Sequence, residues 1–193
     1  MSTPAFPRGA LLTALATTTA AALLATAPAA HASRGAARCA HSLTVPTTAT
    51  ERADAARATA CLVNVERTSR SLPALRRDKD LAKAAREHAG DMVRRAYFAH
   101  TSPTGGDLGD RIRRAGYGRP GDGWRAGENI GWGTGVKATP NALVDAWLDS
   151  PPHRKIMLSR RFKELGVGVA TGAPGRSETG ATYAIDFATL RPA

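Results

Sequence analysis

The hydrophobic period of this chain changes in its last third, and that change constrains the fold more than any other feature. Leu165, Val167 and Val169 alternate with Gly166, Gly168 and Ala170, and Tyr183, Ile185 and Phe187 alternate with Ala184 and Asp186. Strict alternation puts one set of side chains on each face of a strand. Two strands are therefore expected, joined across the Gly-, Pro-, Ser- and Thr-rich stretch at 171–180. The Gly and Ala faces carry little bulk, so a helix is expected to pack close against the sheet.

The chain before these strands follows a helical period. Thr50 reads as the cap of a helix reaching about Thr68, with Ala53, Ala56, Ala60 and Val63 or Asn64 on one face. Leu72-Pro73 ends it, and Asp78 caps a second helix whose stripe is Leu81, Ala85, His88, Met92 and Ala96. Residues 103–109 read as a loop. Asp107 and Asp110 fit the N-cap and N3 positions of a short helix running to Ala115 and stopped at Gly116. Residues 116–127 hold five Gly and one Pro and read as irregular, followed by a short extended piece from Glu128 to Trp132. Thr139-Pro140 opens a helix through Trp147, and Ser150-Pro151 repeats the device for a short helix through Met157 or Leu158. Helices first and strands last predict a mixed α/β layered domain.

Met1 to Ala32 reads as a secretory signal, with an uncleaved membrane anchor as the alternative: Arg8 is its only charge, Leu11 to Ala25 is its apolar core, and Ala30-His31-Ala32 is a cleavage site, with Ala27-Pro28-Ala29 as a second candidate. No twin-Arg pair precedes that core, and Arg38 before Cys39 does not suit lipid attachment. No later stretch approaches the ~18 apolar residues of a membrane span. In an exported chain the two cysteines, Cys39 and Cys61, read as one disulfide, with two free thiols as the alternative. The bridge would tie a flexible lead at 33–50 to the first helix of a domain at 51–190. Closing a loop of about 20 residues contributes roughly 3 kcal/mol.

With 27 Lys+Arg against 16 Asp+Glu the formal charge is +11, and 22 of the basic residues are Arg. Several have acidic partners one helical turn away, as Glu66 with Arg70 and Asp110 with Arg114, so a solvated helical surface is expected. A nucleic-acid groove would interleave basic residues with stacking aromatics, and no specific nucleic acid is expected. Such a charge attracts anionic polymers or membranes outside the cell.

The residues that could do chemistry are few. His31 leaves with the signal, His41 lies in the lead, and His88 on the apolar stripe reads as a packed core histidine. His100 and His153 each stand beside a Ser-Pro. His153 falls in the first turn of the helix capped by Ser150, where the helix dipole disfavours imidazolium. A neutral imidazole is what a metal ligand or a general base must be. Glu128 is the only carboxylate between Asp122 and Asp145. Two histidines and a carboxylate can hold a metal with open positions or form a hydrogen-bonded structural cluster. His-Glu-x-x-His, Gly-x-Ser-x-Gly, a P-loop and a calcium loop are all missing.

Four motifs in order carry a family resemblance: Tyr97-Phe98-Ala99-His100-Thr101-Ser102-Pro103; Ala126-Gly127-Glu128-Asn129-Ile130; Trp147-Leu148-Asp149-Ser150-Pro151-Pro152-His153-Arg154; and Leu165-Gly166-Val167-Gly168-Val169. Together they resemble the CAP superfamily of cysteine-rich secretory proteins, antigen 5 and plant pathogenesis-related proteins of class one, and most closely its bacterial secreted (SCP-like) branch. The resemblance spans residues 55–188. It implies an α+β fold, an α-β-α sandwich with a small antiparallel sheet flanked by helices. It also implies a cleft lined by His100, Glu128 and His153. The second glutamate of animal members has no counterpart, and Asp149-Ser150 stands in its region. In animal members the paired histidines can take zinc, and some members bind sterols or other lipids.

The expectation from all of this is a secreted, monomeric, non-catalytic domain. Its cleft would bind an extracellular or cell-envelope glycan, acidic polymer or lipid. The alternative is a metal-assisted extracellular hydrolase, a peptidase or nuclease. In that reading His100 and His153 hold zinc or another divalent metal and Glu128 is the catalytic base. Ser102 and Ser150 are better explained as turn and cap residues.

Overall fold

The computed structural model describes residues 38–191, so the expected signal segment at 1–32 lies outside the described residues. In chain order the elements are α1 (Ala49–Thr68), β1 (Arg76–Arg77), α2 (Lys79–Arg94), α3 (Leu108–Ala115), β2 (Gly123–Thr134), a 3-10 turn (Gly135–Ala138), α4 (Pro140–Asp149), α5 (Pro151–Met157), β3 (Glu164–Thr171) and β4 (Gly180–Arg191). The sheet order is β1-β3-β4-β2. β2, β4 and β3 are antiparallel, and the two-residue β1 adds a parallel edge beside β3 that periodicity does not mark. No helix among the described residues is long and apolar enough to cross a membrane.

Helices cover both faces of the sheet, the α+β sandwich that the motifs implied. On one face Leu165, Val167, Val169, Tyr183, Ile185 and Phe187 pack with Val63, Leu143 and Trp147 from α1 and α4. Burial of side chains of this kind contributes roughly 1.5–3 kcal/mol each. On the other face Ile130 and Ala184 meet Ala85, Ala89 and Met92 of α2, and Ala188 meets Leu81 and Ile112. The close approach expected of the small face is realised. A Cβ at Gly166 would stand 2.1 Å from the backbone nitrogen of Ala82, and one at Gly168 2.0 Å from that of Arg86. The absent side chains let α2 lie backbone-to-backbone on β3.

Four local expectations need correction. The cap of α1 is Thr48 rather than Thr50, because Glu51 lies three residues beyond Thr48 and closes a capping box. Its carboxylate accepts from the backbone N–H of Thr47 and Thr48 and from the Thr47 hydroxyl, which holds its pKa down at about 2. Residues 116–127 are not all irregular, since β2 begins at Gly123 and pairs with β4 from Gly123↔Arg191 to Thr134↔Gly180. There a partner strand overrides the low strand propensity of glycine. Ala96 leaves the α2 stripe with a φ of 53°, in the left-handed region. Phe98, in the first of the family motifs, departs from the burial expected of a large aromatic side chain and is 45% exposed.

Cys39 and Cys61 are disulfide-bonded. The lead segment is fastened at further points: Cys39 and Ser42 are buried, and the Asn141 N–H donates to the Ser42 carbonyl at 2.9 Å.

Candidate functional site

β2 is an edge strand, and consecutive residues in a strand point to opposite faces. Glu128 therefore faces the α2–α3 layer and Asn129 the α4–α5 layer. This alternation organises the site.

On the first side, Glu128 Oε1 lies 2.7 Å from His100 Nδ1, and Arg111 Nη2 donates to Oε2 at 2.7 Å. His88 Nε2 is 3.8 Å from the same Oε2. Glu128 is 5% exposed. Burial alone would raise its pKa. The His100 hydrogen bond and the charges of Arg111, His88 and His100 outweigh burial and hold the group below the ordinary carboxylate value. His100 is raised above 6.5, chiefly by that hydrogen bond and against the effect of its own partial burial. The pair is an imidazolium–carboxylate ion pair at mildly acidic pH. Arg111, only 3% exposed, also donates from Nη1 to the carbonyls of His100 (2.9 Å) and Gly106 (3.3 Å). One guanidinium thus holds both the carboxylate and the loop that carries His100.

Two further buried groups stand behind this pair. His88 is pushed down chiefly by burial, and its Nδ1 lies 3.4 Å from the Tyr97 hydroxyl, which donates to Asp91 at 2.7 Å. Asp186 is directly across the strand pair from Glu128. It is fully buried, and neither of its oxygens has a hydrogen-bond partner among the described residues. Burial, then the neighbouring Glu128 charge, push it well above the ordinary aspartate range, so it is held as the neutral acid.

On the other side of β2 the interactions are neutral. Asn129 Nδ2 donates to the His153 carbonyl at 3.1 Å and fastens α5 to the strand. Trp147 Nε1 donates to the Ile130 carbonyl at 2.9 Å. His153 Nδ1 is 2.7 Å from Ser150 Oγ. Ser150 occupies the N-cap position, but its hydroxyl makes no cap hydrogen bond. His153 stands at N3, where a capping-box Glu would stand, and takes the hydroxyl instead. His153 is lowered below 6.5, first by burial and then by the charge of His100.

His100, Thr101, Asp107, Leu108, Gly109 and Glu128 line a hollow of about 370 Å³. The structure brings His100 and Glu128 into direct contact there. His153 does not line this hollow; Asn129 ties its backbone to β2, and its imidazole senses the His100 charge. The hydrogen bond from β2 to the helix carrying His153 is made by Asn129, not by Glu128. The ring nitrogens not turned to Glu128 or Ser150, Nε2 of His100 and of His153, have no hydrogen-bond partner among the described residues. Both imidazoles are thus oriented from behind, as metal-bound histidines are. No group of three or more His, Cys, Asp or Glu among the described residues could share a metal ion, so the donor set falls short of the three protein ligands of a catalytic zinc.

Arg111 and Asp186 were missed from the sequence. Asp186 did carry a signal: it breaks the run Ala184-Ile185-Asp186-Phe187 in a strand whose faces are both apolar or small. Arg111 looked like any other basic residue on a short polar helix.

The sequence model of the Cysteine-rich secretory protein family (CAP) matches residues 61–187. Among curated proteins, the uncharacterized protein YkwD of Bacillus subtilis is 39% identical over 107 residues, 55% of this chain and 39% of the relative. The uncharacterized membrane protein YlbC of the same organism is 37% identical over 108 residues, 56% of this chain and 29% of the relative. The chain thus spans well under half the length of either. Among solved structures, an extracellular protein containing a SCP domain from Bacillus anthracis superposes with a TM-score of 0.58 at 32% identity, over 74% of this chain and 44% of that one. An outer surface protein from Borrelia burgdorferi shares the fold, with a TM-score of 0.57 at 20% identity over 68% of this chain and 90% of that one.

Proposed function

Because the chain belongs to the cysteine-rich secretory protein (CAP) family, we propose that it is an exported, non-catalytic binding domain whose His100-lined hollow takes an anionic extracellular ligand. That ligand is an acidic polymer, charged glycan or lipid of the cell envelope. The engagement of Glu128 carries this reading. A hydrolytic base must reach a water or a substrate proton, and both Glu128 oxygens are held by cationic donors in a buried position. The carboxylate positions His100 and keeps it charged. The hollow then offers a cationic N–H donor to an anion. The apolar segment at the N-terminus and the disulfide support export, as does the extracellular location named for the Bacillus anthracis protein.

The hydrolase alternative needs a catalytic metal, for which the described residues bring fewer than three donors together. The two readings separate experimentally. Binding predicts retention on isolated cell envelopes that weakens as salt rises from about 0.05 to 0.5 M, with screening, and that falls several-fold in His100→Ala. Hydrolysis of casein or nucleic acid that disappears in Glu128→Gln would overturn the binding reading in favour of the enzyme.

A further inference from the structure

The loop that carries His100 has a second side. Thr101 and Asp107 face the hollow described above, whereas Ser102 and Thr104 line another hollow of about 330 Å³, closed by Arg94, Arg95, Arg111 and Arg114. We propose that this second hollow is a binding site for a phosphoryl oxyanion, a phosphate ester or phosphodiester, distinct from the cleft.

Charge is the first support. Four arginines stand against two carboxylates, Glu87 and Asp91; Arg111 is already paired with Glu128, and the other three still outnumber the carboxylates. Asp91 already accepts from the Tyr97 hydroxyl at 2.7 Å. Its contacts with the arginines are long, 3.5 Å to Arg94 and 3.9 Å to Arg95. Arg114 was expected to pair with Asp110 one turn away, but Arg113 takes that carboxylate at 3.1 Å. Arg114 makes no ion pair among the described residues, and its guanidinium nitrogens reach to 3.8 Å from the Cβ position of Gly106.

Unused donors are the second support. Ser102 Oγ and Thr104 Oγ1 lie 3.1 Å apart and have two hydroxyl hydrogens between them. Ser102 also accepts from the Gly106 N–H. One hydroxyl hydrogen suffices for the pair, so the other is available to an acceptor. Arg111 Nε is buried with no hydrogen-bond partner among the described residues, and so is His88 Nε2, whose nearest carboxylate oxygen, on Glu128, is 3.8 Å away. Basic residues at the ends of α2 and α3 also offset the helix dipoles. The dipoles do not account for the orphan Nε in the wall or the spare hydroxyl. Guanidinia carried by two helices and the hydroxyls of the loop border the same hollow, a donor set that suits the several acceptor oxygens of a phosphoryl group.

The test uses the full ¹⁵N-labelled chain at constant ionic strength in chloride. The buried Arg111 Nε–H is the reporter. It is titrated with inorganic phosphate, with glycerol 3-phosphate, and with phosphatidylglycerol vesicles beside phosphatidylcholine controls. A saturable shift is expected. In Arg94→Gln/Arg114→Gln the affinity should fall about tenfold or more. In Arg160→Gln/Arg161→Gln, which removes the same charge from exposed positions elsewhere, it should stay within about twofold. Saturation by the soluble esters identifies a free phosphoryl group as sufficient, and saturation by the anionic vesicles alone identifies a headgroup. An absence of saturation with every probe overturns the site, as does an equal loss in both double variants, which would reduce the effect to net charge.

Discussion

On the α2–α3 side of strand β2, Glu128 meets His100, Arg111 and His88, with the buried Asp186 across the strand. On the α4–α5 side, the very next residue, Asn129, meets only the His153 carbonyl. One side of the strand is an ionic cluster around a buried carboxylate, with His100 at its open end; the other is a neutral tie between a strand and a helix. The difference follows from strand geometry, because alternation hands two consecutive polar residues to two separate layers. A buried charge depends on each of its partners, whereas a neutral tie depends on one hydrogen bond.

That contrast has a direct consequence for stability. Arg111→Met keeps much of the side-chain volume but leaves the Glu128 carboxylate without its guanidinium, and should cost about 3–5 kcal/mol. Asn129→Ala removes a single neutral donor and should cost about 1–2 kcal/mol. Urea unfolding midpoints at constant m measure both. Equal losses would break the contrast.

Two glycine positions on opposite faces also differ in what presses on them. A Cβ at Gly168 meets the backbone of α2 at 2.0 Å, whereas one at Gly127 meets the tips of Phe162 and Ile156 at 3.0 and 3.2 Å. Gly168→Ala should cost up to about 3 kcal/mol, because a helix must move as a body, and Gly127→Ala less than about 1 kcal/mol, because two side chains can rotate. Thermal melts of the pair check this; a benign Gly168→Ala would mean that α2 is not seated as described.

A smaller effect concerns pH. Asp186 is raised in the folded state, so the native chain holds a proton that the unfolded chain gives up. Stability from this group is fully present below the unfolded aspartate value of about 3.9 and is lost as pH rises towards the folded value. Asp186→Asn should therefore gain stability relative to the parent as pH rises above about 4. Parallel pH profiles for the two proteins would remove the buried acid.

The fold was legible because its signals are redundant. Alternation at 165–169 and 183–187, the Thr139-Pro140 and Asp78 caps and the Asp107–Asp110 capping box each restate the same layers in local chemistry. β2 was only half legible. Its glycines are tolerated because Phe162, Leu143 and the Lys137 backbone press against them, and local propensity does not register such tertiary contacts. Within the site, His100, Glu128 and His153 could be picked out as isolated polar residues in apolar or acid-poor stretches. Their division between two faces depends on the register of β2, which no spacing between motifs encodes. Arg111 and Asp186 matter only through what they oppose across the fold, and the exchange of Arg114 for Arg113 at Asp110 is a choice between two similarly spaced partners.

The most direct test is an NMR titration of the His100 and His153 ring resonances in the parent chain and in Glu128→Gln. In the parent, His100 should titrate above 6.5 and His153 below it. In the variant, His100 should fall as its ion pair is lost, and His153 should rise slightly as its charged neighbour is discharged. Stability drawn from the raised His100 is present below its unfolded value and is lost as pH rises through its folded one. A shared midpoint for the two rings, or a His100 midpoint unmoved by Glu128→Gln, would contradict the assignment of Glu128 as the group that keeps His100 charged.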